Sequence, residues 1–128
     1  MRLTLPMEIR AELVDERDSC WEDDSPRFRV YLHSHPGPGS ATATYDLTGA
    51  DALQAIDWAQ SHVSAGGTYA VALVRERPGP AGGTERGLVW LVGIDGNTDP
   101  ASDRERDALR RMAERAASPV VIPPGRTP

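Results

Sequence analysis

The sequence predicts an α+β domain of two layers, in which a mostly antiparallel sheet of about five strands packs against two helices. Several segments alternate apolar and polar residues at period two, and two segments repeat apolar residues at helical spacing. Consecutive strand segments have no helix between them, which favours antiparallel pairing in the order β-β-β-α-β-β-α. The 128 residues fit a single domain, which we place at 1–118, followed at 119–128 by a short extended segment and a proline-rich flexible tail.

The first three strands are predicted at residues 3–14, 27–33 and 41–47. In the first, apolar and charged residues alternate, and Pro6 indicates an edge position or a bulge. In the second, one face carries Phe28, Val30 and Leu32, and the other carries Arg27, Arg29, Tyr31 and His33. We expect the two arginines of this strand to form ion pairs with acids of a neighbouring strand, such as Glu8 and Glu12.

Two helices are predicted from their apolar spacing and their start signals. The first runs from Asp51 to Val63, with Thr48 as the expected N-cap and an Ala-Gly-Gly stretch as its end. The second begins after Ser102, which forms a capping box with Glu105. Its first turn is acidic and its later turns are rich in arginine, as the helix dipole favours.

Two further strands, at residues 68–74 and 87–94, are apolar on both faces. Strands of this kind are typical of the centre of a sheet whose two faces are both covered. Two helices do not cover every apolar face of such a sheet, and an uncovered apolar face favours association. The sequence therefore also predicts a homodimer.

Composition and charge exclude several classes of protein. The net charge of −5 argues against nucleic-acid binding, which depends largely on neutralising phosphates, and favours a partner with a basic surface. The sequence contains no apolar run long enough to span a membrane and no apolar block of a signal peptide. The single cysteine, Cys20, cannot form an internal disulfide, so we expect a cytoplasmic protein. All 14 basic residues are arginine, which indicates the codon usage of a GC-rich bacterium.

The segment His33-Ser34-His35-Pro36 is the main candidate for chemistry. If the strand continues to residue 35, both imidazoles lie on one face and are placed to chelate a single ion. The nearest downstream acids, Asp46 and Asp51, are the candidates for a third ligand. The competing interpretation, which we favour, places both histidines on the solvent side where a strand ends, with Asp51 capping the first helix.

These four residues resemble the centre of the JAMM-type zinc peptidases, which remove ubiquitin-like or other small partner proteins. The resemblance implies that His33 and His35 bind zinc with a downstream aspartate, and that an upstream glutamate activates the metal-bound water. In this sequence that glutamate would have to be Glu8 or Glu12, nearer than the family places it. The resemblance covers four of the 128 residues.

The segment 15–24 is the most unusual local feature, because it holds six acids and one arginine around Trp21. Tryptophan is enriched among binding hot spots, and surrounding charge speeds association with an oppositely charged partner. The candidate partner-binding residues are Asp15, Asp18, Trp21, Glu22, Asp23 and Asp24. The competing interpretation is an ordinary solvated loop whose tryptophan packs over one end of the sheet.

The sequence favours a small acidic protein without catalytic residues that binds another protein, as an immunity protein, an inhibitor or a regulatory subunit does. This hypothesis requires no cofactor. The first alternative is a zinc-dependent hydrolase that uses His33 and His35 with Asp46 or Asp51. The second is a small-molecule-binding domain with an apolar pocket between sheet and helices.

Overall fold

The fold is described for residues 9–122 of a computed structural model. After a short 3-10 turn at Glu16–Asp18, the elements are β1 (Phe28–His33), β2 (Thr42–Leu47), α1 (Ala52–His62), β3 (Thr68–Pro78), β4 (Thr84–Val92) and α2 (Asp103–Ala117). The predicted α+β class, with two helices and an antiparallel sheet, is confirmed, and the described sheet has four strands.

The strands lie in the order β2-β1-β3-β4, and every neighbouring pair is antiparallel. The register places Val30 of β1 opposite Tyr45 of β2 and Val71 of β3. Because successive side chains of a strand point to opposite faces, this register collects the apolar residues of three strands on one face.

Helix α1 covers that face and forms the core with it. The buried residues of this core are Phe28, Val30, Ala55, Ala59, Tyr69 and Val71. Burying a side chain such as Val30 contributes about 1.5–3 kcal/mol relative to leaving it exposed. The alternation of β1 and the helical spacing of α1 predicted these two contacting surfaces.

Helix α2 packs against β3 through Met112, which is buried. Gly93, just after β4, makes this approach possible: a Cβ there would lie 3.1 Å from the Ala70 Cβ and 3.2 Å from the Met112 Cγ. The residue also has φ near 80°, a backbone conformation that favours glycine. Within residues 9–122, neither helix has the length and apolarity needed to cross a membrane.

The helix starts confirm the cap predicted for α2 and decide between the two residues, Thr48 and Asp51, that were considered as the cap of α1. Ser102 caps α2 by accepting a hydrogen bond from the Glu105 N–H. Helix α1 is capped by Asp51 instead of Thr48, because the Asp51 carboxylate accepts from the Gln54 N–H while the Gln54 side chain accepts from the Asp51 N–H. Gln54 completes the reciprocal pair that defines a capping box, so the helix begins later than Thr48 predicts.

Two strand predictions need correction. Residues 9–14, the described part of the strand predicted at 3–14, form no strand and are exposed; residues 3–8 lie outside the described residues. The extended segment and tail predicted at 119–128 are described only as far as residue 122, so this prediction is not tested. The segment predicted at 87–94 belongs to an edge strand, β4, because no other described strand pairs with its outer side. Only β3, of the two strands predicted to be central, has strands on both sides.

Candidate functional site

His33 is the last residue of β1 and is buried, with 1% of its surface exposed, which corrects its predicted position on the solvent side. The loop after β4 covers it. A Cβ on Gly96 would lie only 2.6 Å from ring atoms of His33, so the backbone of this loop rests directly on the imidazole. Two hydrogen bonds hold the loop there: the Gly37 N–H donates to the Gly96 carbonyl, and the Asn97 amide donates to the Thr42 hydroxyl.

The hydrogen bonding of His33 defines its protonation state. The Gly96 N–H donates to Nε2 at 3.1 Å, so Nε2 is unprotonated and the ring is neutral with its proton on Nδ1. Nδ1 has no hydrogen-bond partner among the described residues. Burial lowers the pKa of His33, while the Asp95 carboxylate, 3.8 Å from Nε2, acts in the opposite direction. The residue is therefore a neutral part of the packed interior.

The other candidate metal ligands have separate roles. His35 lies beyond the end of β1, is exposed, and has Nδ1 2.8 Å from the Pro36 carbonyl. Asp46 lies on β2 in an ion pair, and Asp51 caps α1. Among residues 9–122, no three His, Cys, Asp or Glu side chains are close enough together to hold a metal ion. The ligand set that the zinc-hydrolase hypothesis requires is not assembled in this part of the chain.

Asp46 is instead the partner of the arginines of β1. Arg29 donates to both of its carboxylate oxygens, with Nε–Oδ1 at 2.6 Å and Nη2–Oδ2 at 3.0 Å. Arg27 lies 3.5 Å from the same carboxylate and 3.7 Å from Glu76. This hydrogen bonding lowers the pKa of Asp46. Cross-strand ion pairs therefore form as the sequence predicts, and their described acids lie on β2 and β3. Glu8 lies outside the described residues.

The acidic segment, residues 15–24, lies on the surface and none of its residues is buried. Asp15 accepts hydrogen bonds from the backbone and side chain of Arg17, and Asp23 accepts from the Ser25 N–H. These local hydrogen bonds constrain the backbone of the segment, although none of its residues belongs to the buried core. Cys20, within it, is a free and exposed thiol.

Trp21 is 64% exposed, and its ring contacts a charged side chain of the sheet. The guanidinium carbon of Arg75, on β3, lies 5.2 Å from the centre of its ring. A cation–π contact at an exposed site contributes about 0.5–1 kcal/mol, which is enough to favour one orientation of the indole. The tryptophan thus stands beside the sheet with most of its surface accessible.

The edge strand β4 exposes a row of large apolar side chains that the sequence analysis did not identify as a surface. The exposed fractions are 36% for Leu88, 42% for Val89, 37% for Trp90 and 45% for Leu91. Trp90 contacts Tyr31, with ring centroids 5.1 Å apart, on the face of the sheet opposite α1. Apolar residues on both faces predicted a central strand, and no local signal distinguished a central position from an edge position.

The grooves of the surface give no specific support to the small-molecule hypothesis. One of about 330 Å³ lies near the end of α1 and is lined by Leu32, His33, Ser34, Ala41, Thr42, Ala43, His62 and Ser64. Most of these residues are exposed, so the groove is open to solvent. Binding sites for small molecules are typically concave and mostly apolar, with a few convergent polar groups.

Comparison of the chain with protein-family models, with curated proteins and with solved structures found no match. Its function is therefore argued from its own residues.

Proposed function

We propose that this protein is a non-catalytic interaction module that binds another protein through its acidic segment, residues 15–24. The observation that carries the proposal is the exposure of Trp21 among acidic side chains that are themselves exposed. An aromatic side chain surrounded by charge combines a large contact area with electrostatic steering. The partner that fits this segment has a basic surface with an apolar recess for the indole.

The local structure of the segment supports this proposal. Arg75 holds one part of the Trp21 ring, so the indole loses less freedom on binding than a fully mobile side chain would. The side chains of Glu22 and Asp24, which follow the tryptophan closely in sequence, are both exposed. The net charge of −5 adds a long-range attraction toward a positively charged partner.

The test compares two variants with the same net charge. Glu22→Gln/Asp24→Asn removes two charges beside Trp21, and Asp99→Asn/Glu114→Gln removes two exposed charges elsewhere. Proteins captured from a lysate of the cell that makes this protein are identified by mass spectrometry. Association rates are then measured by surface plasmon resonance at several salt concentrations.

We expect the first variant to associate about 10-fold more slowly than the wild type at low salt, and the second to change little. Trp21→Ala is expected to raise the dissociation rate instead, since it removes the side chain that the partner would bury. Capture of nothing but the protein itself would contradict the proposal. Equal dissociation rates for the wild type and Trp21→Ala would also contradict the proposal.

A further inference from the structure

We infer that this chain forms a symmetric dimer in which the outer edges of two β4 strands pair antiparallel, joining two four-stranded sheets into one. The inference concerns a surface separate from the acidic segment and does not depend on the function proposed for it. The sequence predicts association in general terms, and the structure identifies the strand through which it occurs.

The first support is the unprotected state of this edge. Proteins that stay monomeric blunt their edge strands with charges, proline or short length. Strand β4 runs over nine residues, and its charged residues, Glu85 and Arg86, lie only in its first half. From Gly87 to Val92 it has no charged residue, while Leu88, Val89, Trp90 and Leu91 are partly exposed. A strand edge with no partner strand among residues 9–122 thus coincides with partly exposed apolar side chains.

The second support is that this half of the strand is complementary to itself. A two-fold axis perpendicular to the sheet keeps each face on its own side, so directly opposed residues must share a face. An axis at Val89 satisfies this rule and places Val89 opposite its own copy. It also places Leu88 opposite Trp90 of the second copy, and both of these side chains lie on the face opposite α1. Cross-strand pairs between aromatic and aliphatic residues stabilise a sheet.

The third support is charge. The regular pairing about Val89 covers residues 88–90 of each copy, because the register of β4 shifts beyond Trp90. Glu85 and Arg86 lie outside this paired stretch, so it brings no charged side chain of the strand directly opposite another. Glu85 and Arg86 are already paired within one copy, to Arg77 and Glu76 respectively. The charged residues of the strand are therefore neutralised locally within each copy.

The residues at the proposed axis lie within the regular part of β4. Its ladder with β3 is continuous from Thr84 to Trp90, and the register shifts only beyond, between Val71 and Ala72 of β3. The proposed axis and both Leu88–Trp90 contacts lie within the regular part.

The test measures the mass of the full chain in solution by light scattering and sedimentation equilibrium. We expect twice the chain mass of 13.8 kDa for the wild type. Val89→Lys places a charge at the axis and is expected to weaken the dimer at least about 100-fold. The matched control, Thr44→Lys, places the same charge on β2, the opposite edge strand, and is expected to leave the dimer intact.

A cross-linking experiment tests the register independently of whether Val89→Lys folds. In a Cys20→Ser background, Val89→Cys brings two thiols together across the axis, within the Cα separation that a disulfide allows. Mild oxidation should give a covalent dimer with this variant and none with Thr44→Cys. A wild type that is monomeric at about 100 µM overturns the inference. A dimer that Val89→Lys leaves intact and Val89→Cys does not cross-link also overturns it.

Discussion

The backbone N–H of Gly96 donates a hydrogen bond to Nε2 of the buried His33, and the two residues are 63 positions apart in the sequence. This bond connects the end of β1 to the loop between β4 and α2, and it fixes the neutral state of the imidazole. The same contact removes His33 from the solvent side of the sheet, where a histidine would be available as a metal ligand. Because of this contact, the His-Ser-His-Pro segment contains one buried, neutral histidine, His33, and one exposed histidine, His35.

Substitution of Gly96 tests how closely the loop rests on the ring. Gly96→Ala places a methyl group 2.6 Å from His33 ring atoms, and we expect the free energy of unfolding to fall by about 1–3 kcal/mol. Chemical denaturation measures the change. Gly83→Ala is the matched control, because a Cβ there meets no atom within 4 Å. Equal stability of the two variants would show that the loop does not pack on the imidazole.

The burial of His33 predicts a pH dependence of stability. The folded-state pKa lies below the ordinary value of 6.5, so the unfolded chain binds the proton more tightly. Stability from this residue is complete above that value, and it is lost as the pH falls from 6.5 toward the folded pKa. Thermal unfolding between neutral and mildly acidic pH measures this loss.

His33→Gln should remove most of the pH dependence in that window, because glutamine keeps an acceptor for the loop and does not titrate. His35→Gln, at an exposed position, is the control and should retain the wild-type profile. A wild-type profile in His33→Gln would mean that another group titrates in this range.

The ion pair of Arg29 and Asp46 is expected to contribute more than the other cross-strand pairs. Its two hydrogen bonds are bidentate and its arginine side chain is only 22% exposed. We expect Arg29→Ala to lower the free energy of unfolding by about 1 kcal/mol. Arg77→Ala, whose side chain is 80% exposed beside Glu85, should change it by less than about 0.5 kcal/mol. Urea denaturation compares the two, and an equal loss would contradict the ranking.

The start of α1 gives a fourth prediction. Asp51→Ala removes the carboxylate that accepts from the Gln54 N–H at 2.8 Å, and should cost about 1 kcal/mol of stability. Thr48→Ala, at the other N-cap position considered from the sequence, should have little effect. The two variants are compared by thermal unfolding followed by circular dichroism. A larger loss for Thr48→Ala would move the start of the helix back toward that residue.

The sequence determined the local elements of this protein because their signals are carried by neighbouring residues. The alternation around Val30 predicts β1, and the apolar spacing around Ala59 predicts α1. Serine followed three residues later by glutamate predicts the start of α2. From these elements and their order, the α+β class follows without any knowledge of distant contacts.

Only the tertiary structure decided which of these elements lie inside. His33 continues a polar face by its position in β1, yet a loop from beyond β4 buries it. Strand β4 has the composition of a central strand, yet it lies at an edge because no described strand pairs with its outer side. Burial depends on residues far apart in the sequence, whereas periodicity reports only which side chains share a face.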